Sequence, residues 1–171
     1  TGTITAGKPV VVAVSANDGV DESSLVALAA AVEQLTTHPL GKSVVDYARD
    51  HALPTDPAER LTNWPGEGIE ADVSGRGVAI GNERMMERVG ATLSESALAI
   101  VDARRANGET ALMIAGDGEH LGTIFVADEL PPTSGEAIAI LKRLKLRVIM
   151  LTGDKSATAN AVAERIGIDE V

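Results

Sequence analysis

The sequence predicts an α+β unit, an antiparallel sheet flanked by helices, followed by half of a doubly wound α/β unit. Three observations predict it. One β-branched strand is followed by two helices in succession; glycine-punctuated short strands and a hairpin come next; and from Asp128 a helix, an apolar strand and a further helix follow.

Taken in order, Lys8 to Ala16 is short and rich in valine, and Asn17-Asp18-Gly19 closes it with turn residues. Asp21 is placed to cap a helix to about Leu35, with Leu25, Leu28, Val32 and Leu35 on one face. Pro39 suits the first position of a second helix to about His51, where its missing N–H costs nothing. Pro54 and Pro57 interrupt the pattern. Short strands are then expected at Arg60 to Trp64, Gly68 to Ser74 and Gly77 to Gly81, with Gly75-Arg76-Gly77 as a turn. Helices follow near Glu83 to Val89 and Ser94 to Ala106, and Thr110 to Ala115 and Leu121 to Ala127 flank Gly116-Asp117-Gly118 as a hairpin. Beyond Asp128 come Pro131-Pro132, a helix through Ile138, Leu141 and Leu144, a buried strand Leu146 to Leu151, and a helix from about Ala157 to Ile166.

The chain has 171 residues, 44% of them hydrophobic and 23% charged, the composition of a folded domain with a sizeable core. Fifteen Lys and Arg stand against 25 Asp and Glu, and a formal charge of -10 repels a phosphate backbone, so nucleic acid is not an expected partner. That balance leaves a single nucleotide open, because local N–H groups and Mg²⁺ can hold a triphosphate on an acidic protein. Without cysteine there is no disulfide framework and no thiolate metal site. No run approaches the roughly 18–20 apolar residues that cross a bilayer, so no membrane insertion is expected of this segment. His51 and His120 have no second histidine or cysteine at ligand spacing and are read as surface residues, with no metal site claimed.

Four local patterns carry chemistry. Thr1-Gly2-Thr3 precedes Gly7-Lys8-Pro9. In Glu33-Gln34-Leu35-Thr36-Thr37-His38-Pro39-Leu40 a ring is held at a helix start, where it can pack flat on a base, and a carboxylate lies five residues upstream. The bland alternative makes His38 a residue before a proline-initiated helix and Glu33 a solvated helix position. Gly66-Glu67-Gly68, with Gly81-Asn82 beyond, lets backbone approach a flat ligand closely, or is simply a hairpin turn entered through Pro65. Arg76 is more simply a turn residue than a phosphate ligand. Val148-Ile149-Met150-Leu151-Thr152-Gly153-Asp154 presents a hydroxyl, an N–H and a carboxylate at a strand end, where open α/β sheets bind ligands, or else uses Asp154 as a helix cap.

In this order and at these separations the patterns resemble the heavy-metal class (type IB) of P-type ATPases. Thr1-Gly2-Thr3 is similar to the tail of the family's Asp-Lys-Thr-Gly-Thr phosphorylation motif, and Thr36-Thr37 stands in place of Ser-Glu in its Ser-Glu-His-Pro-Leu segment. Lys155 stands where asparagine is commoner, and Pro131 occupies the position of an arginine in the hinge return after Asp128.

The resemblance implies an α+β nucleotide-binding domain at 10–126, inserted in a partial haloacid-dehalogenase-like phosphorylation domain made of 1–9 with the hinge and 127–171. It implies that Glu33, His38, Gly66, Gly68, Gly81 and Asn82 hold the adenine nucleotide. Thr152, Gly153 and Asp154 would form the phosphoryl and Mg-nucleotide corner, with Thr1 as the tail of the phosphorylation motif. The cofactors implied are ATP and Mg²⁺; the partners are ATP or ADP and the membrane and actuator domains of the same transporter, on the cytoplasmic face of its membrane. The phosphorylated aspartate would stand two residues ahead of Thr1 and is missing here, so binding without hydrolysis is expected. The alternatives are a haloacid-dehalogenase-like phosphatase, which needs an Asp-x-Asp nucleophile motif, and a non-enzymatic interaction module.

Overall fold

Along the inner strands alternate side chains belong to two different apolar cores, and that period of two dictates a sheet covered by helices on both faces. The computed structural model describes residues 7–128, 130–151 and 156–171. In chain order the elements are β1 (Pro9–Ala16), α1 (Glu22–Glu33), α2 (Pro39–Asp50), β2 (Ala58–Trp64), β3 (Gly68–Val73) and β4 (Arg76–Gly81). They continue with α3 (Glu83–Arg88), α4 (Glu95–Ala106), β5 (Thr110–Gly116), β6 (Glu119–Asp128), α5 (Pro132–Arg143) and α6 (Ser156–Ile166). The six strands form one sheet in the order β1-β6-β5-β4-β3-β2, antiparallel at every step.

On one face Val78, Ile80, Ile114, Ile124 and Val126 pack against Leu25, Val26, Ala29 and Val32 of α1 and Val44 of α2. On the other, Ala79, Met113, Ala115 and Phe125 pack against Met85 and Met86 of α3 and Val101 of α4. The α+β expectation therefore holds, and its local signals are visible at atomic level. Asp21 caps α1, accepting from Ser24 N at 2.8 Å. Pro39 opens α2. The β5–β6 hairpin turns on Asp117-Gly118, whose φ values of 51° and 81° give the turn that matches strand twist.

Three expectations are corrected. The turn after β3 is Ser74-Gly75, so Arg76 begins β4 and lies 3.2 Å from Asp117 Oδ2 instead of at a turn apex. The buried strand expected at 146–151 does not form a ladder: among the described residues Ile149 makes one parallel bridge, to Glu170. Leu146, Ile149 and Leu151 are 54%, 54% and 98% exposed, because an apolar run is buried as a strand only where strands flank it on both sides. Met150 instead joins Ile138, Ala159, Ala163, Ile166 and Ile168 in a third core between α5 and α6. His120, read as a surface residue, is buried on β6. Its Nδ1 lies 3.2 Å from Asn17 Nδ2, which also donates to the His120 carbonyl at 2.6 Å, and its Nε2 is 3.3 Å from Thr123 Oγ1. Burial pushes the imidazole below its usual range, opposed by a backbone hydrogen bond at Gly122.

Candidate functional site

The segment joining α1 to α2 faces the β2–β3 turn across a cleft of about 830 Å³, with Ile69, Ile80 and Leu112 of the sheet among its lining residues. Glu33, His38, Gly66, Gly68, Gly81 and Asn82 all line it, although they come from separate parts of the chain. Thr1, Thr152, Gly153 and Asp154 lie outside the described residues.

Glu33 ends α1 and is 6% exposed, so the solvated-helix alternative does not hold. Its Oε2 accepts from Thr36 Oγ1 at 3.0 Å, and among the described residues it has no cationic partner. Burial raises the carboxyl above its ordinary value, against the smaller, lowering effect of the Thr36 hydrogen bond. Below the unfolded value of about 4.5 both states are protonated and nothing is lost; above it the unfolded chain ionises more readily, so stability falls as pH rises through the folded value. Glu33→Gln is expected to raise Tm at pH 7 by about 2–4 °C and to leave it nearly unchanged at pH 4, as thermal melts at the two pH values would show. A melting point at pH 7 below that of the parent would contradict this.

His38 is the N-cap of α2, with Nδ1 accepting from Leu40 N at 3.3 Å, and its ring is exposed at the rim of the cleft. A ring whose Nδ1 accepts carries its proton on Nε2 when neutral. The cap hydrogen bond ties the ring to the start of α2, where the residue lines the cleft.

The glycines divide by role. Gly66 has φ 78° and open space where a Cβ would stand, so it serves the turn and leaves the backbone approachable. Gly68 and Gly81 face each other in the β3–β4 register, and a Cβ on either would strike backbone: Ile80 O from Gly68, Glu67 O from Gly81. Their lack of a side chain lets two strands close, whatever the cleft holds. Asn82 is likewise committed internally. Its Oδ1 accepts from Arg84 N at 3.0 Å as the cap of α3, its Nδ2 donates to Gly66 O at 2.8 Å, and its own N–H donates to Glu67 O at 2.9 Å. Asn82 thus holds the turn in place more than it faces a ligand.

Sequence reasoning missed the clamp on that turn and the support for Glu33. Arg88 Nε donates to Glu67 Oε2 at 2.7 Å while its guanidinium lies 3.9 Å from the Trp64 ring centre. That hydrogen bond holds the Glu67 carboxyl below its usual value. Gly41, in the first turn of α2, is packed under the Glu33 carboxylate so closely that any Cβ there would overlap it. A glycine inside a helix, where alanine is favoured by about 1 kcal/mol, was the available signal. Arg76 is not among the cleft residues, since β4 presents its Gly81 end there. Among the described residues no three His, Cys, Asp or Glu side chains gather as a metal site, and no helix is long and apolar enough to cross a membrane.

The family described as haloacid dehalogenase-like hydrolase matches residues 1–171. The chain belongs to the haloacid dehalogenase-like hydrolases. Among these hydrolases its relatives are metal-transporting P-type ATPases. The silver exporting P-type ATPase of Salmonella typhimurium is 36% identical over 171 residues, which are 100% of this chain and 21% of that protein. The crystal structure of a zinc-transporting PIB-type ATPase in the E2.Pi state superimposes with a TM-score of 0.87 at 33% identity, covering 100% of this chain and 27% of that one. The N-domain of HMA6, a copper-transporting P-type ATPase, matches 70% of this chain and 99% of its own at 31% identity and a TM-score of 0.60. This haloacid dehalogenase-like chain spans about one fifth of the length of the curated relatives it matches.

Proposed function

We propose that this chain binds the adenine nucleotide for a metal-exporting P-type ATPase and presents it to the phosphorylatable aspartate of that transporter. The observation that carries the reading is the convergence of Glu33, His38, Gly66, Gly68, Gly81 and Asn82 on one cleft of a size suited to a small ligand. In it His38 packs on the base, Glu33 accepts from the exocyclic amino group, and the open backbone at Gly66 lets the turn approach the sugar. Gly68, Gly81 and Asn82 keep that turn against β4 and α3. On this reading 10–126 is the nucleotide-binding domain, and 1–9 and 127–171 are parts of the phosphorylation domain. Thr152, Gly153 and Asp154, with Thr1, then serve the phosphoryl group and Mg-nucleotide.

Phosphoryl transfer depends on positioning and charge neutralisation. When bound, Mg²⁺ supplies part of that neutralisation, with Asp154 as its proposed partner; the residues of the cleft grip and orient the base. The remaining domains of the transporter are the proposed partners, on the cytoplasmic face of the membrane.

The test is a titration of the chain with ATP, ADP and GTP, followed by emission of Trp64, the sole tryptophan and a cleft residue, with calorimetry alongside. ATP and ADP are expected to bind, GTP at least about tenfold more weakly, and His38→Ala to remove most of the affinity. No heat and no emission change at millimolar ATP would sink the reading and leave an interaction module.

A further inference from the structure

Glu33 sits in an unusual position for a carboxylate. It is only 6% exposed, lines the cleft, and draws on no cation among the described residues. A buried carboxylate that rotates freely would fold back onto its own helix end or lose its hydrogen bonds, so something must aim it. Two features do. Thr36, in the turn after α1, donates its hydroxyl to Glu33 Oε2 at 3.0 Å and to the Glu33 carbonyl at 3.2 Å, tying the carboxylate to the turn that leads into His38. Gly41, in the first turn of α2, removes the Cβ that would otherwise occupy the same space as Oε2. Among the described residues the other oxygen, Oε1, receives no hydrogen bond, which leaves an acceptor for a ligand.

We infer that Thr36 and Gly41 are positioning residues that aim the Glu33 carboxylate into the cleft and so set the preference for a purine with an amino group at C6. The inference rests on the nucleotide reading above. A carboxylate accepts hydrogen bonds only, so an amino group in front of Oε1 is bound and a carbonyl in the same place is repelled. Selectivity of this kind depends on where the acceptor points, because a misdirected carboxylate neither rewards the one nor rejects the other. Thr36 also closes the α1–α2 turn through its N–H, which donates to the Glu33 carbonyl at 3.0 Å, so loss of stability alone would not distinguish the two roles.

The experiment compares ATP with inosine triphosphate, which has the same sugar and phosphates but carries a carbonyl in place of the amino group at C6 and a proton on N1. Binding of both is measured calorimetrically for the 171-residue chain, Thr36→Val, Thr36→Ser and Gly41→Ala, with melting curves for each. The parent chain is expected to favour ATP. Thr36→Val, which keeps the shape and loses the hydroxyl, is expected to narrow the ATP-to-inosine preference about tenfold, and Thr36→Ser to restore it to within about twofold. Gly41→Ala keeps the hydroxyl but displaces the carboxylate, and is expected to narrow the preference as well; it carries the test if Thr36→Val fails to fold. A preference left intact in a folded Thr36→Val or Gly41→Ala, or weakened binding of both ligands in equal measure, overturns the inference while the nucleotide reading stands. A parent chain that binds neither ligand overturns that reading, and the inference with it.

Discussion

Gly81→Ala is expected to destabilise the chain by about 3 kcal/mol and to abolish binding at the cleft together with it. The added Cβ would meet Met85 Cβ at 2.6 Å, Gly68 Cα at 2.9 Å and, closer still, the carbonyl oxygen of Glu67. None of these is the free end of a flexible side chain. The Glu67 carbonyl is held by Asn82 N at 2.9 Å, and Gly68 is fixed in register opposite Gly81, so relief requires β3 and β4 to part. The turn at 65–67 then moves away from its anchor on Asn82 Nδ2, and the cleft loses one wall. Chemical denaturation checks the first part and nucleotide titration the second. Gly66→Ala is the internal comparison: with nothing within 4 Å of its Cβ, it carries only the cost of a left-handed backbone, about 1–2 kcal/mol. Equal losses for the two substitutions would show that the β3–β4 contact is not what limits Gly81.

Phe125→Ala is expected to be the most damaging truncation in the core, at about 3–5 kcal/mol, a fall in Tm of roughly 10 °C. Phe125 is the only phenylalanine and is fully buried on β6. Its register partners on the two neighbouring strands are both alanine, Ala13 on β1 and Ala111 on β5. The ring therefore fills space left by small residues on either side, and Met113, Val101 and Met86 complete that core. Because neither alanine can extend into the void, the site collapses poorly, which places the loss toward the upper end of the range. Phe125→Leu should recover most of it, and melts of the two variants against the parent give the comparison.

Much of this architecture was legible where it is encoded within a few residues. Asp21 as a cap, Pro39 at a helix start, and Asp117-Gly118 in a hairpin are local chemistry, and each is found where the sequence put it. The cleft was legible as a set of residues through a resemblance, and the structure gathers the six that lie within its described part. What stayed hidden depends on distant partners. Apart from the glycine at 41, nothing near Glu33 in the chain announces that its neighbours will exclude water from it. His120 looked like a surface residue because Asn17, its partner from the loop after β1, is more than 100 residues away. The apolar run at 146–151 reads as a buried strand by composition, yet burial of a strand is conferred by neighbours, and among the described residues one bridge is all that meets it. Gly68, Gly81 and Asn82, picked out by pattern as a binding turn, also hold strands and a helix cap together, a role that only their distant partners reveal.

The pairing of β1 with β6 brings Pro9 opposite Asp128, so the chain enters and leaves the six-stranded sheet at adjacent points, about 5 Å apart. To whatever surrounds those points, the 120 or so residues between them are no wider than a tight loop. A change of loop length between them leaves the spacing of those two points alone, because the β1–β6 ladder sets it.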